Sequence, residues 1–354
     1  MPSASSRTSV ATVVVTWNRR DLLEQSLDAI LSQEPAPDRI IVIDNASTDG
    51  TSEFVAEHYP AHRFPTLQLI TCTQNTGGAG GFALGIAAAL ETGEGSEPDA
   101  IWLMDDDTIP QPGALAALVA AREGYAVEHG GPPGPPVVIA SRVEWIDGRA
   151  HPMNTPRVKP GATPAERGAA LAVGCEPVRT ASFVSILIDA ARVREVGLPV
   201  ADFFLWNDDF EYSARLIRGR RALTCPASVV RHHTKAFGGT DVDPGPRFYY
   251  EVRNKAWTFT RSPALGSSEK ALYAGSTVRR WARTIARSKD RATLLRGLAQ
   301  GLRHGLGGPP RTTVEVLTEA VAEPLPGFVR AAPGPGGATD EPADGTLGAT
   351  EGSR

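Results

Sequence analysis

Four short apolar runs, each stopping on polar residues, constrain this chain more than any other feature. Val10 to Val15 is β-branched and almost uninterrupted, and it ends at Thr16-Trp17-Asn18-Arg19. Arg39 to Asp44, Leu67 to Thr71 and Ile101 to Asp107 follow the same plan. Runs of this kind, without polar alternation, predict strands buried on both faces, as in a parallel sheet covered by helices. The covering helices lie between them: Leu23, Leu27, Ile30 and Leu31 recur at helical spacing behind Asp21, and an alanine-rich stretch runs through Leu90. Strand and helix alternating four times within about 120 residues predict a doubly wound α/β sheet, whose ligands gather at the carboxyl ends of the strands. Thr16 to Arg19, Asp44-Asn45, Asn75 to Gly81 and Asp105 to Asp107 all fall at such ends.

Beyond Asp107, Pro110 and Pro112 suit the first turn of a helix over Gly113 to Arg122. Gly130 to Pro136 reads as a surface connection, Val137 to Ala140 as a strand, and Trp145 to Arg149 as a hairpin through Asp147-Gly148. Pro152 to Glu166 is turn-rich and is expected to be a mobile loop. Phe183 to Ile188 returns to a buried strand, Asn207 to Arg218 to a helix, and Arg247 to Lys255 opens another. Lys270 to His304 carries nine Lys or Arg against one Asp, interleaved with leucines and aromatics, the composition of a basic helical pair at a surface. We divide the chain into a catalytic domain at 1-262, a basic helical C-terminal extension at 263-331, and a tail at 332-354 whose composition predicts disorder.

Composition narrows the function. A formal charge of -4 over 354 residues gives no field to recruit nucleic acid. Cys72, Cys175 and Cys225 show no paired spacing, which argues against a disulfide framework or a zinc site and for a reducing compartment. No signal-like start and no stretch of membrane-span length is visible, so a cytoplasmic protein is expected.

Three adjacent carboxylates, Asp105, Asp106 and Asp107, repel one another unless a cation or donors compensate, and a hard divalent ion does so most directly. Asp208, Asp209 and Glu211 form a second acidic cluster at a helix start. Metal-assisted transfer to a hydroxyl needs a cation for a leaving diphosphate and a separate carboxylate for the nucleophile's proton, so two acidic groups at different strand ends fit that chemistry. His232 and His233, just past a strand, offer an imidazole. Gly78 to Ala83 satisfies a dinucleotide fingerprint formally, but it follows the third strand rather than the first, which argues against a dinucleotide oxidoreductase. Its backbone N–H groups, at Gly77 and Gly78, can instead approach a phosphate or sugar. A sugar nucleotidyltransferase would share the sheet and the paired Asp, but its Gly-rich basic loop should follow the first strand. A non-catalytic nucleotide-sugar-binding protein would have no use for Asp209.

These stretches, VVVTWNRRDLLEQSLDAILSQ, IIVIDNASTDGT, NTGGAGGFALGI, IWLMDDDTIP, FFLWNDDFEYSARL, His232-His233 and FYYEVRN, together resemble the family 2 glycosyltransferases of the GT-A fold. Within them the chain is similar to the galactofuranosyltransferase and rhamnosyltransferase-like branch. The resemblance implies a GT-A doubly wound, mostly parallel sheet and inverting transfer from a nucleotide-diphosphate sugar to a glycan or polyprenyl-linked acceptor. It implies a nucleotide site of Thr16, Asn18, Arg19, Asp44, Asn75 and Asp106, with Mn²⁺ or Mg²⁺ held by Asp105, Asp107 and His232, His233 being the alternative. Asp209 would be the base, Asp208 would orient the acceptor with the two roles exchangeable, and Trp206 would offer a face to a sugar ring. The donor would be UDP-galactofuranose or dTDP-rhamnose. Longer, polymerising galactofuranosyltransferases carry an N-terminal β domain that is not expected here. A lipid-linked acceptor and the 270-304 segment together suggest a peripheral protein on the inner face of the plasma membrane, and an oligomer is compatible with the sequence.

Overall fold

In a computed structural model, residues 7–91, 97–129, 134–152, 154–234, 237 and 243–334 are described. The first half alternates as expected: β1 (Val10–Thr16), α1 (Arg20–Leu31), β2 (Arg39–Asp44), α2 (Thr51–His58), β3 (Leu67–Thr71), α3 (Gly77–Leu90) and β4 (Ala100–Asp105). β3, β2, β1 and β4 lie side by side in parallel. Their residues are buried on both faces at the centre, where Val13, Val14, Ile41, Val42 and Leu103 have no exposed surface. One core packs beneath α3 and the other beneath α1, which presents Leu23, Leu27 and Ile30 to the sheet. α3 lies so close to β1 that a Cβ on Gly85 would fall 2.3 Å from a Val13 methyl, so its glycines serve helix-to-sheet packing along most of its length.

The chain then departs from the expected simple turn into a helix. β5 (Thr108–Pro110) precedes α4 (Ala114–His129), and β6 (Val138–Trp145), β7 (Arg157–Val158), α5 (Pro164–Ala172), β8 (Glu176–Thr180) and β9 (Ser185–Asp189) follow. α6 (Ala190–Val196), α7 (Asp208–Ile217), β10 (Ala222–His232) and α8 (Phe248–Thr260) complete this part. β9 inserts antiparallel between β4 and β6, β10 runs parallel to β6, and the ten-stranded order is β3-β2-β1-β4-β9-β6-β10-β8-β7 with β5 paired to β10. The Asp147-Gly148 hairpin forms, with Gly148 at φ +84° and Trp145 N–H donating to Arg149 O at 2.8 Å. Pro152 to Glu166 is not one loop. It contains β7, and a capping box between Thr163 and Glu166 starts α5. The expected connection at 130–136 lies outside the described residues up to 133, as does the tail from 335 onward.

The C-terminal region is helical: α9 (Ser267–Arg287), α10 (Arg291–Gly307), α11 (Thr313–Ala320) and α12 (Gly327–Ala331). α10 turns a stripe of small residues to α8. A Cβ on Gly301 would lie 2.7 Å from Val252, and one on Gly305 would lie 2.6 Å from Ala256, so only glycine permits this approach. Among the described residues, no helix is long and apolar enough to cross a membrane.

Candidate active site

The acidic triplet sits where β4 ends, and β5 is the element that completes it. Pairing of β5 with β10 sets His232 opposite Thr108, one residue past Asp107. Oxygen and nitrogen ligand atoms of Asp105, Asp107 and His232 lie within 4.8 Å of one another. His233 instead donates its backbone N–H to Asp107 O at 2.8 Å, and its ring is not part of the group, so the geometry favours His232 over its neighbour.

The donor set fits a hard divalent cation. His232 Nε2 stands 3.0 Å from Asp107 Oδ1, a buried oxygen on which no hydrogen-bond donor is aligned. Burial, and then the Asp107 charge, push Asp105 up to about 7. Burial likewise lifts Asp106 to about 6, although the Arg19 guanidinium opposes it. Burial would also raise Asp107, but His232 and Arg19 outweigh it and hold that carboxyl below its ordinary range. Arg19 bridges the triplet, 3.1 Å from Asp106 Oδ1 and in close contact with Asp107. Positive charge thus already gathers on the face where an ion would bind.

The expected nucleotide residues ring the same strand ends, and several support one another. Thr16 Oγ1 donates to Asp106 at 2.9 Å and Trp17 N–H to the same oxygen at 3.2 Å. Asp44, fully buried, accepts from Ser47 N–H at 2.9 Å and from Ser52. Asn18, at φ +53°, receives Thr48 N–H at 2.7 Å. Asn75 caps Gly77 N–H at 2.7 Å. Asn45, placed at a strand end by the sequence but given no role there, holds the turn from the other side, donating to Gly77 O at 2.8 Å and accepting from Thr76 N–H at 2.9 Å. Gly77 has φ +69°, and a Cβ there would fall 1.9 Å from Phe204 O, so the start of α3 is pressed against the loop that carries the second acidic cluster.

That loop is strained and heavily braced. Phe204, Trp206 and Asn207 have φ of +63°, +65° and +65°, an uncommon region for side-chain-bearing residues that surrounding contacts must enforce. Asn254 supplies them: its amide donates to Phe203 O, Leu205 O and Trp206 O at 2.9, 3.0 and 2.8 Å. Asn207 in turn donates to Glu251 at 2.7 Å, and Glu251 also receives Arg280 and Trp281 Nε1 from α9. The FYYEVRN stretch therefore acts as the brace of the loop.

Asp208 and Asp209 open α7 and are both half-buried. Burial, then the Asp209 charge, raise Asp208 well above the carboxylate range, and Asp105 adds to it, so the two acidic clusters share one field. A Cβ on Gly78 would lie 3.7 Å from Asp208 Oδ2. Burial raises Asp209 too, against a Phe210 N–H donated at 2.6 Å, the Ser182 hydroxyl, and the charges of Lys255 and Arg157. Glu211 belongs elsewhere. Its carboxylate is buried, paired with Arg215 at 2.9 and 3.1 Å, and accepts Ser262 Oγ at 2.6 Å, which corrects its inclusion among the catalytic candidates. Its oxygens are occupied by a fixed ion pair and cannot serve a substrate. Lys255, Arg157, Ser182, Asn154 and His151 were not foreseen. Lys255 lies one residue past the FYYEVRN motif, Arg157 and Asn154 come from the stretch expected to be a mobile loop, His151 from just before it, and Ser182 from the link between β8 and β9, where no motif falls.

Residues 11–134 match Glycosyl transferase family 2. The chain is 30% identical over 269 residues to galactofuranosyltransferase GlfT1 of Mycobacterium tuberculosis, covering 72% of this chain and 83% of that protein. In three dimensions it resembles the crystal structure of GalNAc-T7 with UDP, GalNAc and Mn²⁺, at TM-score 0.56 and 14% identity over 85% of this chain and 55% of that one. The crystal structure of S. aureus TarS 1-349 is similar at TM-score 0.54 and 14% identity, covering 84% and 80%. At these identities the two structures speak to the fold alone.

Proposed function

The chain belongs to glycosyltransferase family 2, and from that premise we propose that it transfers galactofuranose from a UDP donor to a hydroxyl of a glycan on a polyprenyl-linked carrier, inverting the anomeric carbon. The observation that carries the reading is the nearness of two acidic groups, Asp105-Asp107-His232 from the end of β4 and from β10 and Asp208-Asp209 from α7, close enough that Asp105 raises Asp208. The galactofuranosyl donor is supported by the mycobacterial relative, whose length the chain spans for 83%.

In this reading Asp105, Asp107 and His232 hold Mn²⁺ or Mg²⁺, which when bound neutralises charge on the leaving diphosphate. Thr16, Asn18, Arg19, Asp44, Asn75 and Asp106 line the nucleotide, with the Gly78 N–H facing the diphosphate or sugar and Gly77, whose N–H is held by Asn75, shaping the turn beside it. Asp209 takes the acceptor proton as the hydroxyl oxygen bonds to the anomeric carbon and the bond from that carbon to the diphosphate oxygen breaks. Asp208 orients the acceptor, whose ring lies on Trp206. We assign 1-262 to the catalytic unit, 263-331 to an extension that braces it through Glu251 and Arg280, and 332-354 to a tail. Exposed Leu272, Val278, Arg279, Arg283 and Arg287 on α9 support a peripheral contact with an anionic membrane.

Turnover with UDP-galactofuranose and dTDP-rhamnose, followed by mass spectrometry of the product, tests the donor. Asp209→Asn should keep donor affinity and lose about 10² to 10⁴ in rate. Wild-type turnover in that variant moves the base to Asp208, and loss of donor binding alone moves Asp209 to the nucleotide site.

A further inference from the structure

A chain of side-chain hydrogen bonds that no motif announces runs from the metal ligand His232 to Ser182, beside Asp209. His232 Nδ1 lies 2.9 Å from Asn154 Oδ1, and Asn154 Nδ2 lies 3.1 Å from Ser182 Oγ. Ser182 stands beside Asp209, its hydroxyl opposing the rise that burial imposes on that carboxyl, and it also receives Val184 N–H at 3.5 Å. Asn154 is 9% exposed and His232 7%, so water competes little at that end, whereas Ser182 and Asp209 are half-buried.

With Asp209 ionised, as a base must be, donor and acceptor inventory fixes the direction of every bond. A carboxylate only accepts, so the single Ser182 hydrogen points to Asp209, and both its lone pairs face N–H donors, from Val184 and Asn154. Asn154 must then turn its NH₂ to Ser182 and its carbonyl oxygen to His232. That oxygen needs a donor, which places a hydrogen on Nδ1 and leaves Nε2, the atom beside Asp107, as the nitrogen available to a cation. Reversing the amide would break both ends: Nδ1 would lose its hydrogen, Nε2 would carry it, and the Ser182 hydrogen would turn from Asp209.

We propose that Asn154 and Ser182 are positioning residues of a relay that sets the metal-binding tautomer of His232 and aims the Asp209 carboxylate, so that the metal centre and the base are oriented by one network. The inference rests on the assignment of Asp209 and His232 made above. It also gives the segment after the hairpin a task, because Asn154 reaches the site from the stretch that joins β6 to β7.

The test uses the full chain and three measurements: Mn²⁺ binding in the presence of UDP by electron paramagnetic resonance, kcat and KM against pH, and ¹⁵N spectra of the imidazoles with Mg²⁺. Asn154→Ala should weaken Mn²⁺ binding about 10- to 100-fold and remove the Nδ1–H signature of His232. Asn154→Asp, which cannot donate to Ser182, should behave like Asn154→Ala in rate. Ser182→Ala should leave Mn²⁺ binding near wild type, lower kcat more than it raises KM, and move the acid limb of kcat to higher pH. Asp208, Lys255 and Arg157 also face Asp209, remain in place in this variant, and do not produce that shift. Ser182→Thr, which restores the hydroxyl, should recover it. Wild-type Mn²⁺ binding and tautomer in Asn154→Ala, or an unmoved kcat and acid limb in Ser182→Ala, overturns the relay. Asp209→Asn and Asp107→Ala run in parallel: if those variants remain active, the assignment of base and metal site is what has failed. Melting curves separate misfolding from either result, and a misfolded Asn154→Ala leaves the decision to Ser182→Ala and its threonine rescue.

Discussion

Glu211 offers the sharpest separation between a residue that resembles catalytic machinery and one that holds the fold. It lies two positions after Asp209 on the same helix, yet its carboxylate is 1% exposed and forms a bidentate pair with Arg215, whose other contacts are Val196 O at 2.6 Å and Leu198 O at 3.0 Å. Glu211→Ala leaves a buried guanidinium without its counter-charge and Ser262 without its acceptor. Removing one partner of a buried pair costs about 3–5 kcal/mol. For a chain of this size that corresponds to a fall in melting temperature on the order of 10 °C. Turnover per folded molecule, measured well below the transition at saturating donor, should stay within about threefold of wild type, because nothing that touches substrate has changed. Replacing the pair as a whole provides the cross-check. Glu211→Ala with Arg215→Met removes the stranded charge and should recover much of the lost stability, since apolar replacement of buried pairs is often neutral. An unchanged melting curve together with a turnover loss of about 10² or more would refute the structural role and return Glu211 to the active site.

Two further outcomes follow from charge placement. Asp105 is pushed up to about 7 by burial and then Asp107, whereas an unfolded Asp titrates near ~3.9, so between those values the folded chain keeps a proton the unfolded chain has lost and metal-free stability falls as pH rises. Mn²⁺ needs the carboxylate, so its gain in melting temperature should be larger at about pH 8 than at about pH 6, and equal gains in differential scanning fluorimetry would contradict the site. At the membrane, each Lys or Arg near an anionic surface contributes about 1 kcal/mol, so co-sedimentation with anionic liposomes should fall with salt and disappear in Arg279→Gln/Arg283→Gln/Arg287→Gln. Arg280 is left out because it pairs with Glu251, and wild-type protein that stays in the supernatant at low salt defeats the tether.

The half of the molecule built from local signals was legible in the sequence. β1, β2 and β4 bury both faces, so their apolar runs declared them, β3 at the sheet edge is only partly buried, and their polar ends marked one edge of the sheet. What escaped was made by pairing between distant segments. β5 is three residues long and takes its meaning from β10, more than a hundred positions away, and without it nothing in Thr108-Ile109-Pro110 predicts a strand. β7 is shorter still and hid within a turn-rich stretch. Cysteine neighbours hid in the same way: all three thiols are free, and Cys175 and Cys225 come side by side where β8 meets β10, a proximity that linear distance conceals. Site residues recognised by motif are those at strand ends, whereas Asn154 and Ser182 act through side chains that carry no sequence signature of their own.

Bracing of the site explains why the C-terminal helices read as a surface pair and yet are tied to the chemistry. A loop with three side-chain-bearing residues at positive φ cannot hold itself, because each costs on the order of 1–3 kcal/mol against relaxed backbone. Asn254 and Glu251 of α8 hold it, and α8 is in turn held by the glycine stripe of α10 and by Arg280 and Trp281 of α9. Arg179 on β8 adds a second tie, donating to Glu269 at 2.6 and 2.9 Å at the start of α9. The inward faces of these helices are therefore committed to placing Asn207 and, beside it, Asp208. The outward faces keep the exposed arginines and apolar side chains. A single helical layer thus braces the loop before Asp208 and Asp209 and presents a charged surface, so on the proposed reading orientation at a membrane and orientation of these carboxylates would be fixed by the same elements.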